Sequence, residues 1–322
     1  MSFIASGLAF IGRYGTQGFA ISILLGLMLP QFAAAARPML GVCVFFFLAA
    51  TFARVDLTAL AACLRRPGRL VFALVWSIAA PLVLISTLLA VLGRESLDPG
   101  LVLGLALMAA APPIMSSPAV AMLLGLPPTM LLAVVLATTA FAPIYAPFVA
   151  TLMAQVPVPI DASALALRMT LLIGGAVVAA TVLRAVMGEK RIRENKSAFD
   201  GLGVVFYFLF AIAAMDGVLL AIVETPVRVA AYLAIAFGIA FAGIAASMAL
   251  LRPLDPADRF VLGYGAGQRN IGLLIAALGA ATPQTTFLFF ALAQFPIYMM
   301  PLIVKRFSRR YVEPADPGGG RP

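Results

Sequence analysis

Between Leu70 and Leu92 the chain carries no charged side chain, and apolar runs of similar length recur almost to its end. A helix needs about 20 apolar residues to span a bilayer. In lipid every backbone polar group must find a partner within the structure, so runs of this length fold as membrane-spanning helices. The composition agrees, with 63% hydrophobic residues, 11% charged residues and a mean hydropathy of +1.07. Soluble domains carry about 45–50% apolar and about 25% charged residues. A soluble enzyme is excluded, and so is a disordered chain, which needs low hydrophobicity and high charge. The runs are continuous, not ~10-residue alternating segments, which excludes an outer-membrane barrel. The chain reads as an all-α polytopic membrane protein.

With short loops, 322 residues hold roughly ten spans and leave no room for a second soluble domain. The expected spans are 15–32, 39–53, 70–92, 101–124, 128–154, 165–186, 201–223, 227–250, 259–278 and 283–304. Residues 1–11 lack a basic n-region and a small-residue cleavage site, so no cleavable signal is expected; residues 2–11 read as a short interfacial helix. The whole of 1–322 is then one transmembrane domain. Its most polar linker is 195–200, and 306–322 is expected to be a disordered cytoplasmic tail, Pro/Gly-rich from 313.

Basic residues alternate between loops. One set holds Arg54, Arg65, Arg66 and Arg69; then Arg184, Lys190, Arg191, Arg193 and Lys196; then Arg252 and Arg259. Arg13, Lys305, Arg306, Arg309, Arg310 and Arg321 fall on the same side. The other set holds only Arg37, Arg94 and Arg228, with Arg168 near a span end. Positive residues stay in the cytoplasm. The alternation supports an even span count and puts both termini there, in a cell (inner) membrane. The net charge of +9 is thus an orientation signal and a contact with anionic lipid, not a nucleic-acid footprint.

The chain has no histidine, which removes His triads, His metal ligands and His proton relays. Cys43 and Cys63 have no metal-ligand spacing and read as packing residues that leave the redox compartment open. No cofactor and no metal are expected.

Two spans are interrupted. The fourth holds Pro112, Pro113 and Pro118 around Ser116 and Ser117, and prolines so placed cannot continue a helix. The ninth holds Gly263, Gly265, Gly267 and Gly272 around Gln268, Arg269 and Asn270, a weak helix. They lie about 155 residues apart, as do the first and sixth spans. Five spans per half invert the second half, giving expected repeats at about 12–155 and 160–305. Matched interrupted helices in inverted halves point to a transporter site. Arg269 sits mid-span, where a permanent cation needs a cavity or a partner. It reads either as an anion-binding or cation-replacing group or as a structural bridge to a carbonyl. Thr138, Thr139 and Gln294 are further candidates, although membrane hydroxyls often bond their own helix. Asp216 is the one carboxylate well inside an apolar run and a possible proton site. Trp76, Tyr145, Tyr207 and Tyr298 read as packing or interface aromatics.

At these residues the chain resembles the bile acid:sodium symporter family. The resemblance covers roughly 15–305 and rests on Leu40 to Leu48 in the second span and on Ala111-Pro112-Pro113 through Pro143-Ile144-Tyr145-Ala146-Pro147. It also rests on Gly267, Asn270, Gly272 and Leu273, which match that family's ninth-helix pattern. It implies ten spans in two inverted five-helix repeats, with unwound fourth and ninth helices that cross. The family's glutamate falls here at Gly265, its glutamine at Arg269, its Ser-Asn pair at Ser117-Pro118 and its third-helix glutamine near Trp76. The fold and a transport role are implied; the sodium sites are not carried over.

The expected function is a secondary active transporter or facilitator of a small organic anion. Its expected site residues are Pro112, Pro113, Ser116, Ser117, Pro118, Thr138, Thr139, Gly265, Gly267, Gln268, Arg269 and Asn270. An enzyme is not expected, because no nucleophile–base pair is evident. A non-transporting sensor or receptor of the same fold would normally add a signalling domain or a long charged terminus. A cation/proton antiporter-like protein would need one or two acids at the crossing, and none is there. The substrate, the direction, the coupling ion (sodium, proton or none) and the oligomeric state stay open.

Overall fold

The computed structural model describes residues 24–55, 61, 65, 67–155 and 161–308. Among these the chain is helical, and its only β-type pairing is one isolated bridge. In chain order the helices are α1 (Pro30–Ala36), α2 (Leu40–Ala53), α3 (Pro67–Leu92), α4 (Pro99–Ala110), α5 (Ser117–Leu123), α6 (Thr129–Ala154) and α7 (Ala162–Met187). There follow α8 (Glu189–Glu194), α9 (Lys196–Ala214), α10 (Val218–Glu224), α11 (Pro226–Leu250), α12 (Pro256–Gly267), α13 (Ile271–Leu278) and α14 (Gln284–Ser308). Among the described residues, seven stretches are long and apolar enough to cross a membrane: Pro30–Ala53, Pro67–Leu92, Thr129–Ala154, Ala162–Met187, Ser197–Glu224, Pro226–Leu250 and Gln284–Ser308. The chain is a multi-pass membrane protein.

Burial sorts these elements. The long helices leave large apolar side chains such as Val83, Ile144, Phe148, Leu171 and Val227 exposed, the surface expected against lipid tails. The short α4 is the opposite: every residue from Gly100 to Ala110 is buried. A helix apolar on all sides belongs in the interior. α12 and α13 are nearly as enclosed, so the three short helices form the centre of the bundle.

α11 meets α12 through glycines. A Cβ on Gly243 would lie 2.5 Å from the Gly267 nitrogen, and one on Gly267 would lie 2.6 Å from the Ala240 carbonyl. Small residues let membrane helices approach backbone to backbone, which takes the place of a hydrophobic driving force that lipid cannot supply. One turn further along the same face of α11, Trp76 of α3 donates its indole N–H to the Ser247 hydroxyl at 2.8 Å.

α4 and α12 also share their start. One opens on Leu97-Asp98-Pro99 and the other on Leu254-Asp255-Pro256, with the aspartate at the N-cap and proline in the first turn. Both run for 12 residues. Proline is pre-shaped for a first turn, where its missing N–H costs nothing. Asp98 accepts from the Gly100 and Leu101 amides, while Asp255 pairs instead with Arg69 at 3.7 Å. Asp161 caps α7 in the same way, and the Ser163 hydroxyl beside it holds its carboxyl below the usual carboxylate range.

Three boundaries differ from the sequence expectation. The break expected between 32 and 39 falls at Leu29, because Pro30 opens a helix that runs on through a 3-10 turn at Arg37–Met39 into α2. The polar linker at 195–200 is a turn only at Asn195 and is helical from Lys196. Its aspartate, Asp200, pairs with Arg54 at 2.6 Å, so that charge does not argue for a loop. The stretch 201–223, expected to be continuous, breaks between α9 and α10 at Met215-Asp216-Gly217, where Gly217 takes φ +74°. Cys43 is buried in the core. Cys63, the segment 2–11, residues 15–23 of the span 15–32 and the tail from 309 lie outside the described residues.

Candidate functional site

α4 stops at Ala110 and α5 starts at Ser117; α12 stops at Gly267 and α13 starts at Ile271. The two gaps lie against each other. Pro113 and Arg269 form an antiparallel bridge, in which the Ile114 amide donates to the Gln268 carbonyl at 2.9 Å and the Asn270 amide donates to the Pro112 carbonyl at 2.8 Å. Backbone freed inside a membrane protein must be satisfied by protein or water. Here each unwound segment satisfies the other. Pro112, Pro113 and Pro118 help in a second way, because they bring no N–H that would need a partner.

The bridge sets the C-terminal ends of α4 and α12 side by side, and Arg269 sits between them. It is 0% exposed. Its Nη1 donates to the Gly265 carbonyl at 3.2 Å and its Nη2 donates to the Ala111 carbonyl. In an unbroken helix the Gly265 carbonyl would accept from the backbone amide four residues on, which is that of Arg269 itself. Unwinding removes that amide, and the side chain of the same residue replaces it. A helix C-terminus behaves as roughly half a negative charge. Two such ends together are about one unit, which matches a single guanidinium. No carboxylate pairs with Arg269 among the described residues. Its counter-charge is backbone. Its Nε has no hydrogen-bond partner, nor does the buried Nε2 of Gln268 beside it.

A cavity of about 570 Å³ reaches this point. It extends from Arg269, Asn270 and Gly272, past Ser116 and Gln294, to Leu123 and Leu302, which are 46% and 67% exposed. Its walls are Val44, Phe47 and Leu48 of α2, Tyr207 and Phe210 of α9, and Ile297 and Tyr298 of α14. Phe47 and Tyr207 stack with centroids 4.1 Å apart, closing the α2–α9 side. The cavity therefore has one polar end and a long apolar body. At the polar end, Ser116 and Asn270 are the N-cap residues of α5 and α13, and neither side chain bonds its own helix. The polar end is thus built from two N-caps whose side chains remain available, with a guanidinium behind them.

The expected site residues divide. Ser116, Arg269, Asn270 and Gln294 line the cavity. Pro112, Pro113, Ser117, Pro118, Gly265, Gly267 and Gln268 build the crossing without lining it. Ser117 turns its hydroxyl back onto the Ile114 carbonyl at 2.7 Å. Gly265 is filled from outside: a Cβ there would lie 2.7 Å from Leu131 Cδ1 and 3.5 Å from Pro113 Cβ. Thr138 bonds the Val134 carbonyl of its own helix at 2.6 Å, and Thr139 meets the Met115 sulfur at 3.5 Å; both are buried away from the lining. Asp216 lies in the turn between α9 and α10, not in a helix. It pairs with Arg37 at 3.0 Å and is not part of the cavity. Tyr207 and Tyr298, taken from the sequence as packing aromatics, are cavity walls. Their lack of charge or unusual spacing gave no sign of it. The Leu-Asp-Pro start common to α4 and α12 was a signal present in the sequence that pairs the two helices directly.

No protein-family model matches the sequence, and no curated protein matches it.

Proposed function

We propose that the chain is a secondary active transporter or facilitator of a small organic anion, of the bile acid:sodium symporter type, and that it works without sodium. In this reading it has ten spans in two inverted repeats, with both termini in the cytoplasm. α4–α5 and α12–α13 are the fourth and ninth spans. The cavity is the substrate site, and an anionic group sits at Ser116 and Asn270 with the apolar body along Phe47, Phe210 and Ile297.

The observation that carries the reading is the charge arrangement at the crossing. The two negative helix ends are already matched by Arg269, while the positive ends of α5 and α13 meet the cavity with their N-cap side chains unbonded. Helix N-termini favour anions. The same arrangement argues against a sodium ion. A cation would need the carbonyls that Arg269 holds, and it would sit beside a fixed positive charge. Two like charges 4 Å apart cost about 4 kcal/mol at an effective dielectric of about 20, roughly a thousandfold in affinity. The family's carboxylate position falls by resemblance at Gly265, and Leu131 Cδ1 stands in the space a side chain there would need.

Counterflow of a panel of carboxylates in proteoliposomes tests the assignment. Ser116→Ala and Asn270→Ala should each raise the half-saturating substrate concentration, by up to roughly tenfold for one neutral hydrogen bond. The double variant should lose more. No counterflow of any carboxylate, or wild-type affinity in the double variant, would contradict it.

A further inference from the structure

The cavity opens towards the α5 and α14 ends that carry Leu123 and Leu302, and the opposite end of the bundle is closed. From Phe210 on the cavity wall the closure runs outward through rings packed edge to face. Phe210 meets Phe290 at 6.1 Å, and Phe290 meets Phe287 at 5.4 Å. All three are buried. The outermost ring is covered by a cation, because the Arg37 guanidinium carbon lies 3.9 Å from the Phe287 centroid. The same guanidinium donates through Nη1 to Asp216 at 3.0 Å and to the Gln284 side-chain carbonyl at 3.1 Å.

These groups come from three separate parts of the fold. Arg37 lies in the 3-10 turn before α2, Asp216 in the turn between α9 and α10, and Gln284 at the start of α14. Next to Asp216 stands Gly217, in the left-handed region at φ +74°. That conformation lets an otherwise continuous apolar stretch bend there at little steric cost. The turn packs directly on Gln284, whose Nε2 would lie 2.7 Å from a Cβ at Gly217. The Arg37 and Asp216 side chains keep 29% and 18% exposure. The pair is therefore not sealed inside the protein, unlike Arg269, and it can part without leaving a charge enclosed by the core.

We propose that Arg37, Asp216 and Gln284 form a latch that holds the α10 turn against α14 and keeps this end of the cavity shut, with Gly217 as its hinge. Release of the latch lets α10 swing, uncovers Phe287 and the ring column beneath it, and opens the cavity at the Arg37 end. The latch rests on the reading of the cavity as a transport site, but its test uses no substrate. A failed latch is thereby separate from a failed counterflow assay.

The experiment is thiol labelling of Ala119→Cys, a small cavity-lining position, in full-length protein with Cys43 and Cys63 replaced by alanine. A membrane-impermeant maleimide is applied from the Arg37 side. With the latch intact, labelling should be slow. Asp216→Asn should speed it about tenfold, and the charge exchange Arg37→Asp with Asp216→Arg should restore slow labelling. Melting temperature is followed in each variant, so that general loosening is told apart from gating. An unchanged labelling rate in well-folded Asp216→Asn would overturn the latch, as would a well-folded exchange variant that labels as fast as Asp216→Asn.

Discussion

Arginine is the residue that organises this molecule, and it does so mainly by holding helix C-termini. Arg94 donates to the Met153 and Ala154 carbonyls at the end of α6, Arg168 to Ala277 and Leu278 at the end of α13, and Arg184 to Ala53 and Val55 at the end of α2. Each puts a positive group on the negative end of a neighbouring helix, an exchange worth roughly 0.3–1 kcal/mol near a surface. Arg269 does the same in the interior, for two helices at once. Removing the guanidinium leaves the Gly265 and Ala111 carbonyls buried without a donor, at about 1–3 kcal/mol each. Arg269→Gln should therefore lower the thermal stability of the detergent-solubilised protein by several kcal/mol. Arg269→Lys keeps the charge without the two-pronged fork and should fall in between. A melting curve for Arg269→Gln that overlays the wild type would show that the guanidinium is not needed to hold the crossing.

At the scale of elements, the packing of α11 on α12 decides where the crossing sits, because Gly267 is both the last residue of α12 and a backbone contact of α11. Overpacking a close contact costs typically 1–3 kcal/mol. Gly267→Val and Gly243→Val should each destabilise by about that much, read by thermal unfolding. On the proposed function they should also reduce transport more than stability alone accounts for, since they shift the crossing that would form the site. Gly188 has no neighbour near an added Cβ but takes φ +75°, so it is no neutral control; Gly174, open and helical, is one. The helix breaks were legible in the sequence because proline and glycine act locally, through a missing N–H or a missing Cβ. The cavity walls were not. Nothing local distinguishes Phe47, Phe210 or Tyr298 from a lipid-facing or packing aromatic, and only the meeting of α2, α9 and α14 makes them a wall. The break at Asp216 was hidden for a related reason: it costs a single glycine in an apolar run, and its partner Arg37 is distant in the chain.

For the whole molecule, membrane character followed directly from the long uncharged runs, and long helices with lipid-like surfaces are what the fold contains. Orientation is a separate matter, read only from the loop charges. Reporter fusions at Pro226 and after Arg310 should give opposite signals, and matching signals would rule out the ten-span topology. The proposed function rests on the balance of charge where the four half-helices meet: a fixed cation matched by backbone on one side, and two N-caps that face a cavity on the other. The most direct measurement is the initial rate of organic-anion uptake by wild-type proteoliposomes in sodium buffer and in choline buffer at equal ionic strength. The proposal expects equal rates, because Arg269 already holds the Gly265 and Ala111 carbonyls and adds a fixed positive charge there; strong stimulation by sodium would contradict the account.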